Sequence, residues 1–203
     1  DAITIVRALL KGDALNYKGA VFSVDAPARR PQDRVHDVPI AVGATGPLMI
    51  KLAGAMADII LRPTCTTPAF VTYARGQIEK GLRESGRTFD DVQIGATLPF
   101  SVHRDSRKAR DAIRRLTAVY IANKVQNIRN DTLMQAAGLT AEEAVPIAQA
   151  KSESGIDVAT AMVTDEIMDK VVIAGNPEEV TAKLIALLKE GLTLPLLYQV
   201  IGP

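Results

Sequence analysis

A glycine-rich turn at residues 43–47, Gly-Ala-Thr-Gly-Pro, is the stretch of this sequence with the clearest capacity to bind a ligand. It separates an apolar segment of strand type, VPIAVG at 38–43, from an alanine-rich helical segment that Pro47 opens. The first amides of a helix have no partner within the helix and carry a partial positive charge. A strand-to-helix turn of this kind can therefore bind an anion.

The donors in this turn suit a phosphate group. Glycine at 43 and 46 lets the backbone turn tightly and lets an anion approach without a Cβ in its way. Thr45 adds a hydroxyl, and the amides of Gly46, Leu48 and Met49 can point the same way, whereas Pro47 has no N–H to donate. Two or three charge-assisted hydrogen bonds contribute about 4–8 kcal/mol before ordering costs, so the ligand needs a second, larger part. The alternative is an ordinary turn that needs glycine only for its geometry.

A polar loop, residues 64–67, follows the next apolar run, and Arg62 stands just past the end of that run. Arg62 is a candidate for direct contact with an anionic ligand, and the alternative is a solvated or salt-bridged rim residue. Cys65 has neither a His nor a paired Asp near it in the sequence, so a buried or half-buried thiol is favoured over a nucleophile.

The other polar residues favour structural roles. His36 and His103 lack the spacing of metal ligands, so no metal site is predicted, although His103 follows a predicted strand and can face the site. The acidic pairs at 90–91 and 142–143 are typical of helix caps or surface carboxylates. The basic segment 104–115 predicts the solvated face of a helix.

Composition excludes several classes of protein. Among 203 residues, 24 basic and 23 acidic side chains leave a net charge of +1, which argues against a nucleic-acid partner. A single cysteine excludes an internal disulfide, and no run of 18 or more apolar residues predicts a membrane span. We therefore expect a cytoplasmic protein. The first residues show neither an initiator Met nor the layout of a signal peptide, so we expect the chain to begin inside a larger protein.

The elements that must position these residues alternate between strands and helices. Apolar periodicity and cap residues predict four strands and five regular helices, with a hairpin and a loop between residues 16 and 37. Several short helices are expected at about 124–170, as an insertion in a single domain of residues 1–203. The predicted strands are 38–43, 58–62, 92–102 and 192–200, and the predicted helices are 2–11, 47–57, 68–85, one after Asp105 and one from Pro177 to near Gly191. This alternation predicts an α/β fold with parallel pairing, either an open doubly wound sheet or an eight-stranded barrel.

Four segments together resemble the bacterial luciferase-like superfamily, and especially its methylenetetrahydromethanopterin reductases. The first is VPIAVGATGPLMIKLAGAMADIIL, which contains the glycine-rich turn. The others are KGDALNYKGAVFSVDAPA, GLRESGRTFDDVQIGATLPFSVHRDSRKARDAIR and VVIAGNPEEVTAKLIALLKEGLTLPLLYQVIGP. The segments follow the family order over nearly all of the chain. Ile59 departs from the glycine common in the family, and Arg62 is a second departure.

The resemblance implies a (β/α)8 TIM barrel of which this chain is the C-terminal half, with about four strands. It also implies a deazaflavin coenzyme (coenzyme F420), or FMN in sister families, with its phosphate on Gly43, Ala44, Thr45, Gly46 and Pro47. Family members transfer hydride between the deazaflavin and a C1 unit on a pterin carrier, without a metal. The catalytic residues stay unassigned, because the family places them in the absent half.

Two alternatives remain open beside this reductase hypothesis. One is an FMN-dependent monooxygenase of the same superfamily, which would also act on a small molecule. The other is an inactive truncated fragment that serves only as an oligomerising module. Half a barrel has two open sheet edges, so we expect the chain to pair with its missing half, with a neighbouring molecule or with another copy of itself, and we favour a homo-oligomer.

Overall fold

The structure is a computed structural model that describes residues 1–30, 38–63, 66–127 and 138–199. Eight α-helices occur in these ranges: α1 (Ala2–Lys11), α2 (Pro47–Met56), α3 (Pro68–Ser85), α4 (Ser106–Asn127), α5 (Ala141–Glu153), α6 (Ile156–Ala161), α7 (Asp165–Val171) and α8 (Pro177–Lys189). Seven strands occur in the same ranges: β1 (Leu15–Lys18), β2 (Ser23–Ala26), β3 (Ala41–Gly43), β4 (Ile59–Pro63), β5 (Gln93–Val102), β6 (Ile173–Gly175) and β7 (Leu194–Gln199). None of the described helices is long and apolar enough to cross a membrane.

A parallel sheet organises the chain. Strand β5 is its long central member, and it pairs with β4, with β6 and with β7, while β3 pairs with β4. All of these pairs are parallel, whereas β1 and β2 form a separate antiparallel hairpin. The α/β prediction is confirmed, and the four predicted strands and the hairpin are present. The structure adds β6, whose three residues are too few to show a periodicity in the sequence.

Side chains on the two faces of this sheet differ in how far they are buried. On one face, Ile60, Ile94 and Leu98 are buried in a core that α2 and α3 complete. On the other face, the register aligns Leu61, Gly95 and Leu194 across three strands. Farther along that face Leu196 and Tyr198 are 40% and 55% exposed. The outer strand β7 is therefore left partly exposed on this second face.

A second apolar cluster joins α4 to the helices of residues 141–171. It contains Ile113 and Ile121 from α4, Ile147 from α5 and Met168 from α7, all of them fully or almost fully buried. The expected insertion at about 124–170 therefore contains α5, α6 and α7 within its described part, and the end of α4. Residues 128–137 of that range lie outside the described residues.

Cap residues set the helix boundaries much as the sequence predicts. The Thr67 hydroxyl accepts a hydrogen bond from the Phe70 N–H at the start of α3. Thr140 and Glu143 form the predicted capping box of α5, and Gly12 ends α1 with a φ of 80°. Strand β3 is shorter than the predicted segment 38–43, because the N–H of Ile40 donates to the carboxylate of Asp58 instead of joining the ladder.

The solvated face predicted for segment 104–115 is wrong for two of its arginines. Arg110 and Arg114 are only 14% and 22% exposed at the side chain, because α7 packs beside them. Arg114 pairs with Asp165 at 2.8 Å, and Arg110 pairs with Asp169 at 2.9 Å. These ion pairs connect α4 to the short helices. The acidic pairs at 90–91 and 142–143 take part in caps, as expected.

Candidate anion-binding site

The glycine-rich turn lies where β3 and β4 end side by side. The N–H of Ala44 donates to the carbonyl oxygen of Leu61 at 3.0 Å, so the turn stays paired with β4 for one residue beyond β3. Ala44 is fully buried, whereas Thr45 is exposed. Because parallel strands bring their carboxyl ends to one edge, the turn opens at the edge where α/β proteins bind ligands.

The glycines of the turn do not have the strained backbone that a tight turn would need. Gly46 has φ −84° and ψ 158°, which any residue adopts, and it is the N-cap of α2. Gly43 is not among the glycines with positive φ, and a Cβ at either position would meet no atom of the described residues within 4 Å. The backbone angles at Gly46 therefore do not themselves require glycine. What they do leave is open space above the backbone, as an approaching ligand requires.

Four amides in and after the turn have no protein acceptor within the described part of the chain. They belong to Thr45, Gly46, Leu48 and Met49. The helix begins with the bond from the Ile50 N–H to the Gly46 carbonyl oxygen at 2.9 Å, and no side chain caps it. Pro47 occupies the first helical position, where its missing N–H costs nothing. The turn therefore presents unsatisfied donors at the positive end of a helix dipole.

Arg62 lies inside β4, directly beneath this turn. It is 2% exposed, and its Nη1 donates to the carbonyl oxygens of Ala44 and Thr45, the latter at 3.0 Å. Its guanidinium carbon lies 4.7 Å from the centroid of the Phe70 ring. The alternative of a solvated rim residue is therefore wrong, because the guanidinium is buried between the turn and α3. Contact between Arg62 and a ligand stays a prediction.

The polar loop after β4 has structural contacts where it is described. Thr66 is buried, and its hydroxyl donates to the carbonyl oxygen of Lys170 at the end of α7, at 2.9 Å. Thr67 caps α3. Residues 64 and 65 lie outside the described residues, so the interpretation of Cys65 stays untested.

A second group of polar side chains occupies the carboxyl ends of β5 and β6. The Ser106 hydroxyl donates to the Glu179 carboxylate at 2.6 Å, and the Asn176 N–H donates to the same oxygen at 2.8 Å. The hydrogen bond from Ser106, followed by that from Asn176, holds the pKa of Glu179 below its ordinary range. His103 is exposed here, and its Nδ1 accepts from the Asp105 N–H at 2.9 Å. His36 lies outside the described residues.

Sequence reasoning placed Arg62 near the site but missed its contact with the turn. The register pairs Gly43 with Leu61, so the next residues along, Ala44 and Arg62, lie side by side. Only this register would have indicated the contact between Arg62 and the turn, and it can be used only once β3 and β4 are known to be neighbours. The contact of Ser106 with Glu179 was missed as well, because 73 residues separate the two.

Comparison with known proteins identifies the family of this α/β chain. Residues 1–194 match the family model described as luciferase-like monooxygenase, so the chain belongs to that family. It is 30% identical over 202 residues to 5,10-methylenetetrahydromethanopterin reductase of Methanopyrus kandleri, covering 98% of this chain and 56% of that protein. It is 31% identical over 204 residues to the enzyme of the same name from Archaeoglobus fulgidus, covering 100% of this chain and 60% of that protein.

A solved structure supports the same conclusion. The coenzyme F420 dependent tetrahydromethanopterin reductase from Methanopyrus kandleri superposes with a TM-score of 0.80 at 28% identity. The match covers 97% of this chain and 57% of that one. The luciferase-like barrel prediction is thus confirmed, and the chain spans a little over half the length of the relatives that it matches.

Proposed function

We propose that this chain supplies the phosphate-binding part of a deazaflavin-dependent oxidoreductase. The observation that carries the proposal is a group of four amides at the carboxyl edge of the sheet that have no acceptor among the described residues, those of Thr45, Gly46, Leu48 and Met49. The names of the relatives support coenzyme F420 as the ligand and a C1-substituted pterin as the substrate.

The residues of the turn fit the phosphate end of such a coenzyme. No atom of the described residues lies within 4 Å of where a Cβ of Gly43 or Gly46 would be. The unsatisfied N–H groups lie at a helix N-terminus, where negative charge is stabilised. The buried guanidinium of Arg62 lies beneath the turn and adds positive charge. An anionic phosphate group therefore has donors, room and a favourable field at one place.

When bound, a deazaflavin supplies hydride chemistry, since its ring accepts or donates a hydride. The residues of this chain would bind and orient the coenzyme through Thr45, Gly46 and the first turn of α2. Correct placement of two reactants contributes much of the rate in such transfers, so an anchored phosphate has a direct catalytic consequence. No residue of this chain is assigned to proton or hydride transfer.

Titration of the gene-encoded protein with coenzyme F420 and, separately, with FMN tests the proposal by fluorescence. We expect saturable binding of F420 and no comparable binding of FMN. Uptake of FMN without F420 would instead support the FMN-dependent monooxygenase, and binding of neither would refute a flavin-type function. A phosphate-free deazaflavin nucleoside should bind more weakly than F420, because it leaves the amides of the turn unused.

The substrate and the assembly are further parts of the proposal. A methylene-pterin carrier is proposed as the hydride acceptor, and its reduction by F420 in the same preparation is the measurement. A homo-oligomer is proposed because Leu196, Leu197 and Tyr198 on the outer strand β7 are well exposed. Light scattering of the same sample reports the mass of the assembly.

A further inference from the structure

We propose that Arg62 is a positioning residue that aims the amides of the glycine-rich turn at the coenzyme phosphate. The inference rests on the proposed function and deepens it. Its basis is that one guanidinium nitrogen of the buried Arg62 donates hydrogen bonds to two consecutive carbonyl oxygens, those of Ala44 and Thr45. Arg62 acts through the backbone and does not need to touch the ligand.

Peptide geometry connects the two carbonyls to the two amides. The described peptide bonds are all trans, so the C=O and N–H of each peptide unit point in opposite directions. The unit that carries the Ala44 carbonyl also carries the Thr45 N–H, and the unit with the Thr45 carbonyl carries the Gly46 N–H. Since Arg62 holds both carbonyls below the turn, both N–H groups point away from it, to the open side.

The guanidinium is held firmly enough to set this orientation. Arg62 belongs to β4 and is 2% exposed. The Phe70 ring packs against its guanidinium, whose carbon lies 4.7 Å from the ring centroid. A buried cation interacts with nearby dipoles more strongly than an exposed one, because the surroundings screen it less. Without Arg62, the peptide units at 44–46 could rotate, and part of the donor alignment would be lost.

A matched arginine in the same chain offers a control. Arg87 also donates hydrogen bonds to backbone carbonyl oxygens, those of Gly54 at 3.0 Å and Ala57 at 2.8 Å. Arg87 follows α3, and the carbonyls that it contacts lie at the end of α2 and just before β4, at the opposite edge of the sheet from the glycine-rich turn. Loss of Arg87 should cost stability without changing phosphate recognition.

The test compares two ligands on the gene-encoded protein: coenzyme F420 and its phosphate-free deazaflavin nucleoside. In Arg62→Met we expect the dissociation constant for F420 to rise by about tenfold to hundredfold, while that for the nucleoside stays at the wild-type value. Arg62→Lys keeps a cation that can donate to the same carbonyls. Its ratio of the two dissociation constants, for the nucleoside and for F420, should therefore lie close to the wild-type ratio. Arg87→Met should leave the ratio of the two constants unchanged, even where its melting temperature falls.

Several outcomes would overturn the inference. An unchanged constant for F420 in folded Arg62→Met protein is one, and an equal rise for both ligands is another, since that pattern indicates a general structural defect. If Arg62→Met does not fold, Phe70→Leu serves as the second variant. Loss of the ring contact should then reduce the ratio of the dissociation constants for the nucleoside and F420 by about threefold to tenfold. An unchanged ratio refutes the inference. Wild-type protein that fails to bind F420 defeats the proposed function, and the positioning role with it. If every variant keeps the wild-type ratio of dissociation constants for the nucleoside and F420, the positioning role alone is refuted.

Discussion

The close contact between α2 and α3 yields a prediction about the helix that carries the glycine-rich turn. At Gly81 of α3, a Cβ would lie 1.9 Å from the carbonyl oxygen of Lys51 and 2.9 Å from the backbone nitrogen of Ala55. Both atoms belong to the backbone of α2, so no side chain can rotate out of the way. Gly81→Ala must therefore push the two helices apart.

The size of the effect follows from two opposing terms. Ordinary contact with a Cβ begins at 3.4 Å, so the helices must separate locally by about 1.5 Å. Overpacking of this kind costs about 1–3 kcal/mol, and the upper part of that range applies when backbone must move. Replacing glycine by alanine inside a helix returns about 1 kcal/mol. The expected result is a net loss of about 1–2 kcal/mol in the free energy of unfolding.

Gly76→Ala in the same helix is the matched control. A Cβ at Gly76 meets nothing within 4 Å, so only the helix term remains and stability should rise by about 1 kcal/mol. Urea unfolding followed by circular dichroism measures both variants, with stability taken from the midpoint and the slope. If Gly81→Ala proved as stable as Gly76→Ala, the close approach of α2 and α3 would be wrong.

Two further predictions concern opposite edges of the sheet. Gly43→Ala should leave the unfolding free energy unchanged or slightly raised, because its Cβ meets nothing within 4 Å, yet it should weaken F420 binding measured by fluorescence titration. Burial raises the pKa of the Asp58 carboxyl, but hydrogen bonds from Arg7 and from the Ile40 N–H outweigh it and hold the pKa below the ordinary 3.8. The stabilisation from this carboxylate is therefore complete above pH 3.8 and is lost as the pH falls through the lower folded-state pKa. Urea unfolding at a series of acid pH values should show a shallower loss for Asp58→Asn than for wild type, and equal slopes would contradict the assignment.

Local chemistry explains why many elements could be predicted from the sequence. Thr67, Thr140 and Asn176 each accept a hydrogen bond from a backbone N–H of the first turn that follows. The partners of a cap lie within three residues, so the sequence contains both members of the interaction. The same is true of Gly12 and Gly86, whose positive φ ends α1 and α3.

Contacts between distant residues explain what could not be predicted. The aspartates that pair with Arg110 and Arg114 are 59 and 51 residues away, respectively, so the sequence alone indicated a solvated helix face. Strand β6 exists because β5 offers it a partner, and three residues contain no periodic pattern of their own. A prediction from local pattern has no access to either contact.

The glycine-rich turn shows the division most clearly. The sequence by itself determined that a strand ends at Gly43 and a helix begins at Pro47, because these boundaries depend on neighbouring residues. It also determined the four resembling segments that led to the family. Only the tertiary structure decided what the two glycines do, since their backbone angles are ordinary and the space above them is open. The role of Arg62 was decided in the same way, because pairing of β3 with β4 brings its guanidinium beneath the turn, 17 and 18 residues away in the chain.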